Sequence, residues 1–118
     1  MGLLKPPLDL PFNITRMGYV VLTSSDFEKT RFFYESGLGL EVTFQDQNML
    51  CFRAIEETYH HSLIFEKVDE GEIGKCRRVG YRMQTDRDIK EAFNFFKSRG
   101  NQVKFVERPF QGLTIEVI

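Results

Sequence analysis

The chain has 118 residues, a formal net charge of −1 and 42% apolar residues. This length suits one compact domain with a real core, and it is too short for two independent domains. The near-neutral charge argues against nucleic acid or an anionic membrane as a partner, and no apolar run approaches the length of a membrane span. Cys51 and Cys76 both lie in strand-like runs, which predicts buried free thiols and a cytoplasmic protein.

The N-terminal residues 1–13 contain three prolines, at positions 6, 7 and 11. Proline removes a backbone donor and blocks the preceding helical turn, so we expect an extended arm here. The rest of the chain, residues 14–118, is expected to form a single domain.

The stretch Gly18–Val42 predicts a strand–helix–strand unit. Its first part, Tyr19–Thr23, has the β-branched and apolar composition of a strand. Ser25 and Glu28 have the spacing of a capping box, which predicts the start of a helix. Apolar positions at helical spacing follow, at Phe27, Thr30, Phe33 and Tyr34. Gly39 is expected to end the helix, because glycine adopts the left-handed cap conformation at little steric cost.

Three further strands are predicted in the first half of the chain, at Leu40–Gln45, Met49–Ile55 and His60–Glu66. Residues from about 14 to 66 therefore form a predicted β-α-β-β-β module. A polar connector with two glycines, residues 67–75, separates this module from the next.

The second half repeats the pattern, since Gly80-Tyr81 matches Gly18-Tyr19. A strand at Cys76–Met83 precedes a helix that Thr85 or Asp86 would cap. Ile89, Ala92, Phe93 and Phe96 form its apolar stripe, and Gly100 would end it. Two strands follow, at Val103–Val106 and Leu113–Ile118.

A supersecondary unit used twice indicates that each copy buries its apolar face against the other. We therefore predict an α+β fold of two βαβββ modules, about residues 14–66 and 76–118. The modules would form a cupped mixed sheet with the helices outside. The second module lacks one strand, which would leave an open edge and favour self-association.

Two stretches resemble a known family, VVLTSSDFEKTRFFYESGLGLEV at 20–42 and EETYHHSLIF at 56–65. The first resembles the opening of the vicinal oxygen chelate superfamily, which includes glyoxalase, bleomycin-resistance and extradiol dioxygenase proteins. The second is similar to the N-terminal module of extradiol ring-cleavage dioxygenases of the catechol 2,3-dioxygenase type. The resemblance extends from about residue 14 to residue 106.

This resemblance implies a divalent metal held by one histidine from each module's first strand and by a late-strand glutamate. Tyr19 and Arg78 stand at the two histidine positions. A phenol is a poor ligand near neutral pH, and a guanidinium stays protonated, so we expect no metal in this chain. Glu116 follows Gly100 by only 16 residues, too few for two strands, and is interpreted as an ordinary strand residue.

His60 and His61 attract attention as adjacent imidazoles. On a strand, neighbouring side chains point to opposite faces, so the two are not expected to bind one metal. One would pack against a helix, and the other would face the concave side of the sheet.

Arg78 and Arg82 would share one face of their strand, with Val79, Tyr81 and Met83 covered by a helix on the other. Buried arginines need acidic partners, and the candidates are Glu66, Glu116 or a substrate carboxylate. Both an internal ion-pair network and an anion-binding site remain open. No Gly-rich phosphate loop, Cys–His zinc spacing or nucleophile elbow occurs in the chain.

The resemblance implies a non-catalytic N-terminal domain of an extradiol dioxygenase-like protein, with a scaffold and interface role. Fe(II) would be bound only by a C-terminal domain of a longer parent, and this chain alone would be inactive. Its partner would be that C-terminal domain or a second copy.

The alternative is a stand-alone, metal-free binding protein of the glyoxalase/bleomycin-resistance type. Its groove would take a small aromatic or anionic ligand and would be lined by Tyr19, His60, Arg78, Arg82 and Glu116.

Overall fold

The computed structural model describes residues 10–56 and 59–118, so most of the predicted N-terminal arm lies outside the described residues. The elements, in chain order, are β1 (Ile14–Ser24), α1 (Phe27–Arg31) with a following π-helical turn (Phe32–Gly37), β2 (Glu41–Gln45), β3 (Met49–Arg53), β4 (Leu63–Lys67), β5 (Cys76–Met83), α2 (Asp86–Ser98), β6 (Val103–Val106) and β7 (Thr114–Val117). The α+β class is confirmed, as are the predicted orders β-α-β-β-β and β-α-β-β.

The chain divides into two compact units. One unit is Met17–Tyr81, and the other combines Arg82–Ile118 with the described residues 10–16. β1–β5 form a sheet in the order β2-β3-β4-β1-β5, whereas β6 and β7 form a separate two-stranded ladder. No described helix is long and apolar enough to cross a membrane.

Strand pairing in the first unit is mixed. β1 and β4 are parallel, with Val21 opposite Ile64, while β3 is antiparallel to both β2 and β4. The β2–β3 ladder shifts register between Val42 and Phe44, as at a β-bulge.

The two faces of this sheet bury different apolar clusters. Phe27 of α1 packs against Leu50, Phe52 and Phe65 on one face. Val21, Cys51 and Ile64 form the cluster on the opposite face. This division follows from strand geometry, because successive side chains point to opposite sides of the sheet.

The cap of α1 differs from the prediction. Asp26, not Ser25, is the N-cap, and its Oδ1 accepts a hydrogen bond of 3.1 Å from the backbone N–H of Lys29. The Oγ of Ser24 accepts from the backbone N–H of Asp26. The helix therefore begins one residue later than the Ser25–Glu28 capping box predicts.

The second half of the first helix is a π-helical turn, which the sequence did not indicate. The backbone N–H of Leu38 donates to the carbonyl of Phe33, five residues earlier, at 3.1 Å. Phe27 and Tyr34 pack into the core as predicted. The predicted inward position of Phe33 is wrong, since the side chain is 56% exposed. Gly39 ends the segment with φ of 76°, as expected for a left-handed cap.

The second unit is built on α2. Thr85, one of the two residues predicted as the cap, is the N-cap of this helix, and it forms a full capping box with Asp88. Phe12 is buried against α2, with its ring centroid 5.4 Å from Phe95 and 5.7 Å from Phe96. β6 and β7 are antiparallel, and the rings of Phe93 and Phe105 stack at 4.5 Å.

Two predictions about β5 are wrong. Val79 and Tyr81 are 41% and 59% exposed rather than covered by a helix. Cys76 is also exposed, although Cys51 is a buried free thiol as expected. The reason is position, because β5 is the outermost strand and the core beneath Phe27 is formed by residues of β1–β4.

Candidate functional site

The face of the first unit's sheet opposite α1 carries the polar residues of interest. We call it the Arg78 face, and it is formed by Tyr19, Val21, Ile64, Glu66 and Arg78. Residues paired in register share a face, and Val21 and Ile64 are paired in this way. The face therefore has an apolar centre with charged groups beside it.

Arg78 and Glu66 form an ion pair on this face. The two terminal guanidinium nitrogens of Arg78 each donate to a different carboxylate oxygen of Glu66, at 3.3 Å. The side chains are 28% and 25% exposed, and Arg77 adds a longer contact of 3.5 Å to Glu66. Glu66, one of the three acidic partners that the sequence offered, is therefore the acid that pairs with Arg78.

One donor of Arg78 is left over. Its Nε is buried and has no hydrogen-bond partner within the described residues. An arginine in a paired site normally satisfies this donor, because an unmade hydrogen bond to a buried charged group is costly.

Tyr19 lies against the backbone of β5. A Cβ placed on Gly80 would be 2.1 Å from Cε1 of Tyr19, so the aromatic ring occupies the side-chain space that glycine leaves empty. The same ring makes an edge contact with His61, with a centroid distance of 5.6 Å. Sequence reasoning missed this contact, although the repeated Gly-Tyr pair pointed to both positions.

The two histidines do not lie on a strand, and the prediction that they face opposite ways is wrong. β4 begins only at Leu63, and the Nδ1 atoms of His60 and His61 lie 3.1 Å apart. His61 is 6% exposed and packs on Tyr19. The loop before β4 lets adjacent rings turn towards each other, which alternating strand geometry would prevent.

The other two predicted site residues, Arg82 and Glu116, belong to the second unit. Glu116 lies on β7 and accepts a hydrogen bond of 2.9 Å from Arg108. The carbonyl of Arg82 accepts from the hydroxyl of Thr15 at 3.2 Å. The structure thus groups Tyr19, the histidine pair and Arg78 in one unit.

The Cys51 thiol lies in the apolar centre of the Arg78 face and is completely buried. Burial raises its pKa to about 11, with a smaller contribution from the negative charge of Asp46. A thiol in this state is not a nucleophile near neutral pH, because the thiolate is the reactive form.

These residues do not fit a divalent metal. Among residues 10–56 and 59–118, no three histidine, cysteine, aspartate or glutamate side chains are grouped as a metal site. The carboxylate of Glu66 already forms an ion pair with the guanidinium of Arg78, so it is engaged by a cation of the protein itself. A cation at this point would meet a fixed positive charge.

Paired βαβββ and βαββ modules place the chain in a class of proteins built from duplicated units of this kind. Residues 16–114 match the family model described as the glyoxalase/bleomycin resistance protein/dioxygenase superfamily. The chain belongs to this superfamily, as its sequence motifs predicted.

The curated relatives are extradiol dioxygenases. Metapyrocatechase of Geobacillus stearothermophilus is 29% identical over 79 residues, which cover 67% of this chain and 23% of the relative. The manganese-dependent 2,3-dihydroxybiphenyl 1,2-dioxygenase of Geobacillus genomosp. 3 is 22% identical over 94 residues, which cover 80% and 29%.

Solved structures give the same result. Homoprotocatechuate 2,3-dioxygenase of Brevibacterium fuscum, in several variants, superposes with a TM-score of 0.81 at 28% identity. The match covers 94% of this chain and 31% of the dioxygenase. The chain therefore spans less than a third of the curated relatives and of this structure.

Proposed function

We propose that this chain is the non-catalytic N-terminal domain of an extradiol ring-cleavage dioxygenase-like protein, with a scaffold and interface role. The observation that carries the proposal is the ion pair of Arg78 with Glu66. The family resemblance assigns a metal-binding histidine to the position of Arg78, and an arginine cannot coordinate a cation. A module with this substitution retains the fold and gives up the chemistry.

The extent of the match supports the same proposal. The structural match covers 94% of this chain but only 31% of a ring-cleaving dioxygenase. The chain therefore corresponds to one part of that enzyme. The catalytic metal would then be held elsewhere in a longer parent. In that parent a bound divalent metal would hold both catecholic oxygens together with dioxygen, which is the oxidant that ring cleavage consumes.

The proposal is tested with the isolated 118-residue chain. After anaerobic loading with Fe(II) or Mn(II) and desalting, elemental analysis is expected to find no stoichiometric metal. Addition of 3,4-dihydroxyphenylacetate and air is expected to give no ring-cleaved product by absorbance. The B. fuscum dioxygenase, treated in the same way, is the positive control. One tightly held metal per chain, or turnover above background, would overturn the proposal.

A second candidate function is a metal-free binding protein for a small anion, and one observation favours it. The buried Nε of Arg78 is a donor without a partner in the described residues. A ligand carboxylate that displaced the atoms covering this donor would accept one hydrogen bond from it, beside the two that the terminal nitrogens of Arg78 donate to Glu66.

Calorimetry with 3,4-dihydroxyphenylacetate distinguishes the two candidates. Binding by the wild-type chain that is lost in Arg78→Gln and kept in Arg77→Gln would favour the binding protein. Arg77 is the matched control because it also contacts Glu66, at 3.5 Å, and is 46% exposed. Absence of heat with all three proteins leaves the domain proposal in place.

A further inference from the structure

The outer edge of β7 has no partner strand among the described residues. β7 pairs with β6 on one side, and these two strands form a sheet of their own. The first unit is different, because β3 pairs with β2 on one side and with β4 on the other. β6 and β7 follow α2 in the order in which β2 and β3 follow the first helix. The repeat therefore indicates a second antiparallel neighbour for β7, in the position that β4 has beside β3.

The backbone groups of β7 point alternately to its two edges. The N–H of Ile118 donates to the carbonyl of Gln102 at 2.9 Å, and this bond continues the β6–β7 register. In an antiparallel ladder, residues two apart direct their N–H and C=O groups to the same side. Ile115 and Val117 therefore direct theirs to the outer edge, away from β6. An edge with donors and acceptors of this kind can add a further strand.

The side of the β6–β7 ladder that faces α2 is only partly covered. Phe105 of β6 stacks on Phe93 of α2 and lies opposite Ile115. Ile115 and Val117 share this side, because side chains two residues apart on a strand point the same way. Val117 is nevertheless 39% exposed, and Phe105 is 49% exposed. In the first unit, β4 contributes a buried ring to the corresponding cluster beneath the first helix, so an added strand beside β7 would cover the same side.

The charge on β7 is compensated within the chain. Glu116, the charged residue of this strand, accepts a hydrogen bond of 2.9 Å from Arg108. Natural edge strands are often protected from strand addition by a lysine or by a β-bulge. β6 carries Lys104, and β2 has the register shift between Val42 and Phe44, whereas β7 has neither feature. Two copies of β7 can therefore meet without bringing unpaired charges together.

We propose that two copies of this chain associate by antiparallel pairing of their β7 strands, about a two-fold axis at Ile115. The outward N–H and C=O groups of Ile115 then bond those of the partner's Ile115, and Glu116 lies opposite the partner's Thr114. A register centred on Glu116 would place two glutamates directly opposite each other, which is destabilising. The pairing gives a four-stranded sheet in the order β6-β7-β7-β6, with both copies of α2 on one face because the axis is normal to the sheet.

Removal of an outward N–H group tests the edge. The association of the wild-type chain is measured by sedimentation equilibrium over a wide range of concentrations, because a contact between two short strands is expected to be weak. Val117→Pro removes the outward donor of residue 117 and leaves the bonds to β6 in place. We expect its dimerisation midpoint to rise roughly tenfold, since a two-fold contact loses two hydrogen bonds at once. Val117→Ala is the matched control, because it also shortens the side chain but keeps the N–H group, and its midpoint should change less. Circular dichroism shows whether each variant keeps the native fold.

Disulfide formation between copies tests the register. The background is Cys76→Ser, because Cys76 is exposed whereas Cys51 is buried. A mixture of Thr114→Cys and Glu116→Cys chains should form a covalent dimer under mild oxidation, because directly opposed residues lie about 4.5 Å apart between their Cα atoms. Glu116→Cys alone should not form one, because the two copies of residue 116 are then diagonal neighbours, roughly 7–8 Å apart and beyond the reach of a disulfide.

Three outcomes would overturn the inference. A wild-type chain that stays monomeric over the whole concentration range would exclude a second copy as the partner of β7. A dimerisation midpoint that Val117→Pro leaves unchanged would assign the contact to another surface. Glu116→Cys chains that cross-link as readily alone as in the mixture would refute the register. None of these measurements involves a metal or ring cleavage, so their failure leaves the proposed domain function in place.

Discussion

The contact between Gly80 and Tyr19 leads to a specific stability prediction. In Gly80→Ala the new methyl carbon would lie 2.1 to 2.5 Å from three ring atoms of Tyr19, whereas ordinary contacts begin at 3.4 Å. The ring cannot keep its present position with an overlap of this size, so it must rotate away from the new methyl group. We expect Gly80→Ala to destabilise the fold.

The magnitude follows from three contributions. Forcing a side chain off its preferred rotamer costs about 0.5–1.5 kcal/mol. Loss of the edge contact between Tyr19 and His61, now at 5.6 Å, costs about 0.5–1.5 kcal/mol. Replacing glycine within a strand returns roughly 0.5–1 kcal/mol, because the unfolded chain loses freedom. The net destabilisation therefore lies between about 0 and 2.5 kcal/mol, with a central value of roughly 1 kcal/mol.

A double-mutant cycle in urea isolates the contact. Tyr19→Ala removes the ring, and in that background Gly80→Ala is expected to be neutral or slightly stabilising. The coupling free energy should then be at least about 1 kcal/mol, well above the scatter for independent sites. Equal costs of Gly80→Ala in both backgrounds would refute the packing argument, and would mean that the ring does not fill this space.

Three further predictions concern the second unit and the thiols. Thr85→Ala, which removes the α2 cap, should cost about 1 kcal/mol in thermal or urea unfolding, whereas an unchanged midpoint would contradict the capping geometry. The pKa of Asp88 is lowered mainly by the hydrogen bond that its carboxylate accepts from the Thr85 hydroxyl. The stability that this carboxylate contributes is therefore fully present above its pKa in the unfolded chain, and it is lost as the pH falls through its lower pKa in the folded chain. Asp88→Asn should remove that part of the acid sensitivity. In the wild-type chain, carboxyl NMR titration should show a lowered pKa for Asp88, and an ordinary pKa would contradict the hydrogen bond. In the native chain at pH 8, the exposed Cys76 should react with a thiol reagent, whereas Cys51 should react only after denaturation. Rapid reaction of both thiols would contradict the burial of Cys51.

Short-range features of the fold were predictable from the sequence. α2 combines a helical apolar stripe with a capping residue, Thr85, and both signals lie within a few turns of chain. The bounds of β5 and β6 agree with the predicted strands, since alternation is also a local property. The repeated order of elements followed from these local patterns, and the superfamily followed from the motif resemblance of residues 20–42 and 56–65.

The side of each element that is buried was less predictable. Phe33 has the same apolar character as Phe27, but the helix offers only one side to the sheet. Val79 and Tyr81 alternate as a covered strand would, yet β5 lies beyond the strands that α1 packs on. A periodicity shows that an element has an apolar side, and only the neighbouring element decides whether that side is covered.

The candidate site depended on tertiary structure to a greater degree. The sequence indicated that Arg78 needs an acid and offered several, and the parallel register of β4 on β1 brings Glu66 into reach. The pairing of the two histidine rings required a loop where a strand was expected. Side-chain chemistry is written in the sequence, since residue type determines which groups can pair. Which groups do pair depends on strand register and loop shape, and contacts between distant parts of the chain determine both.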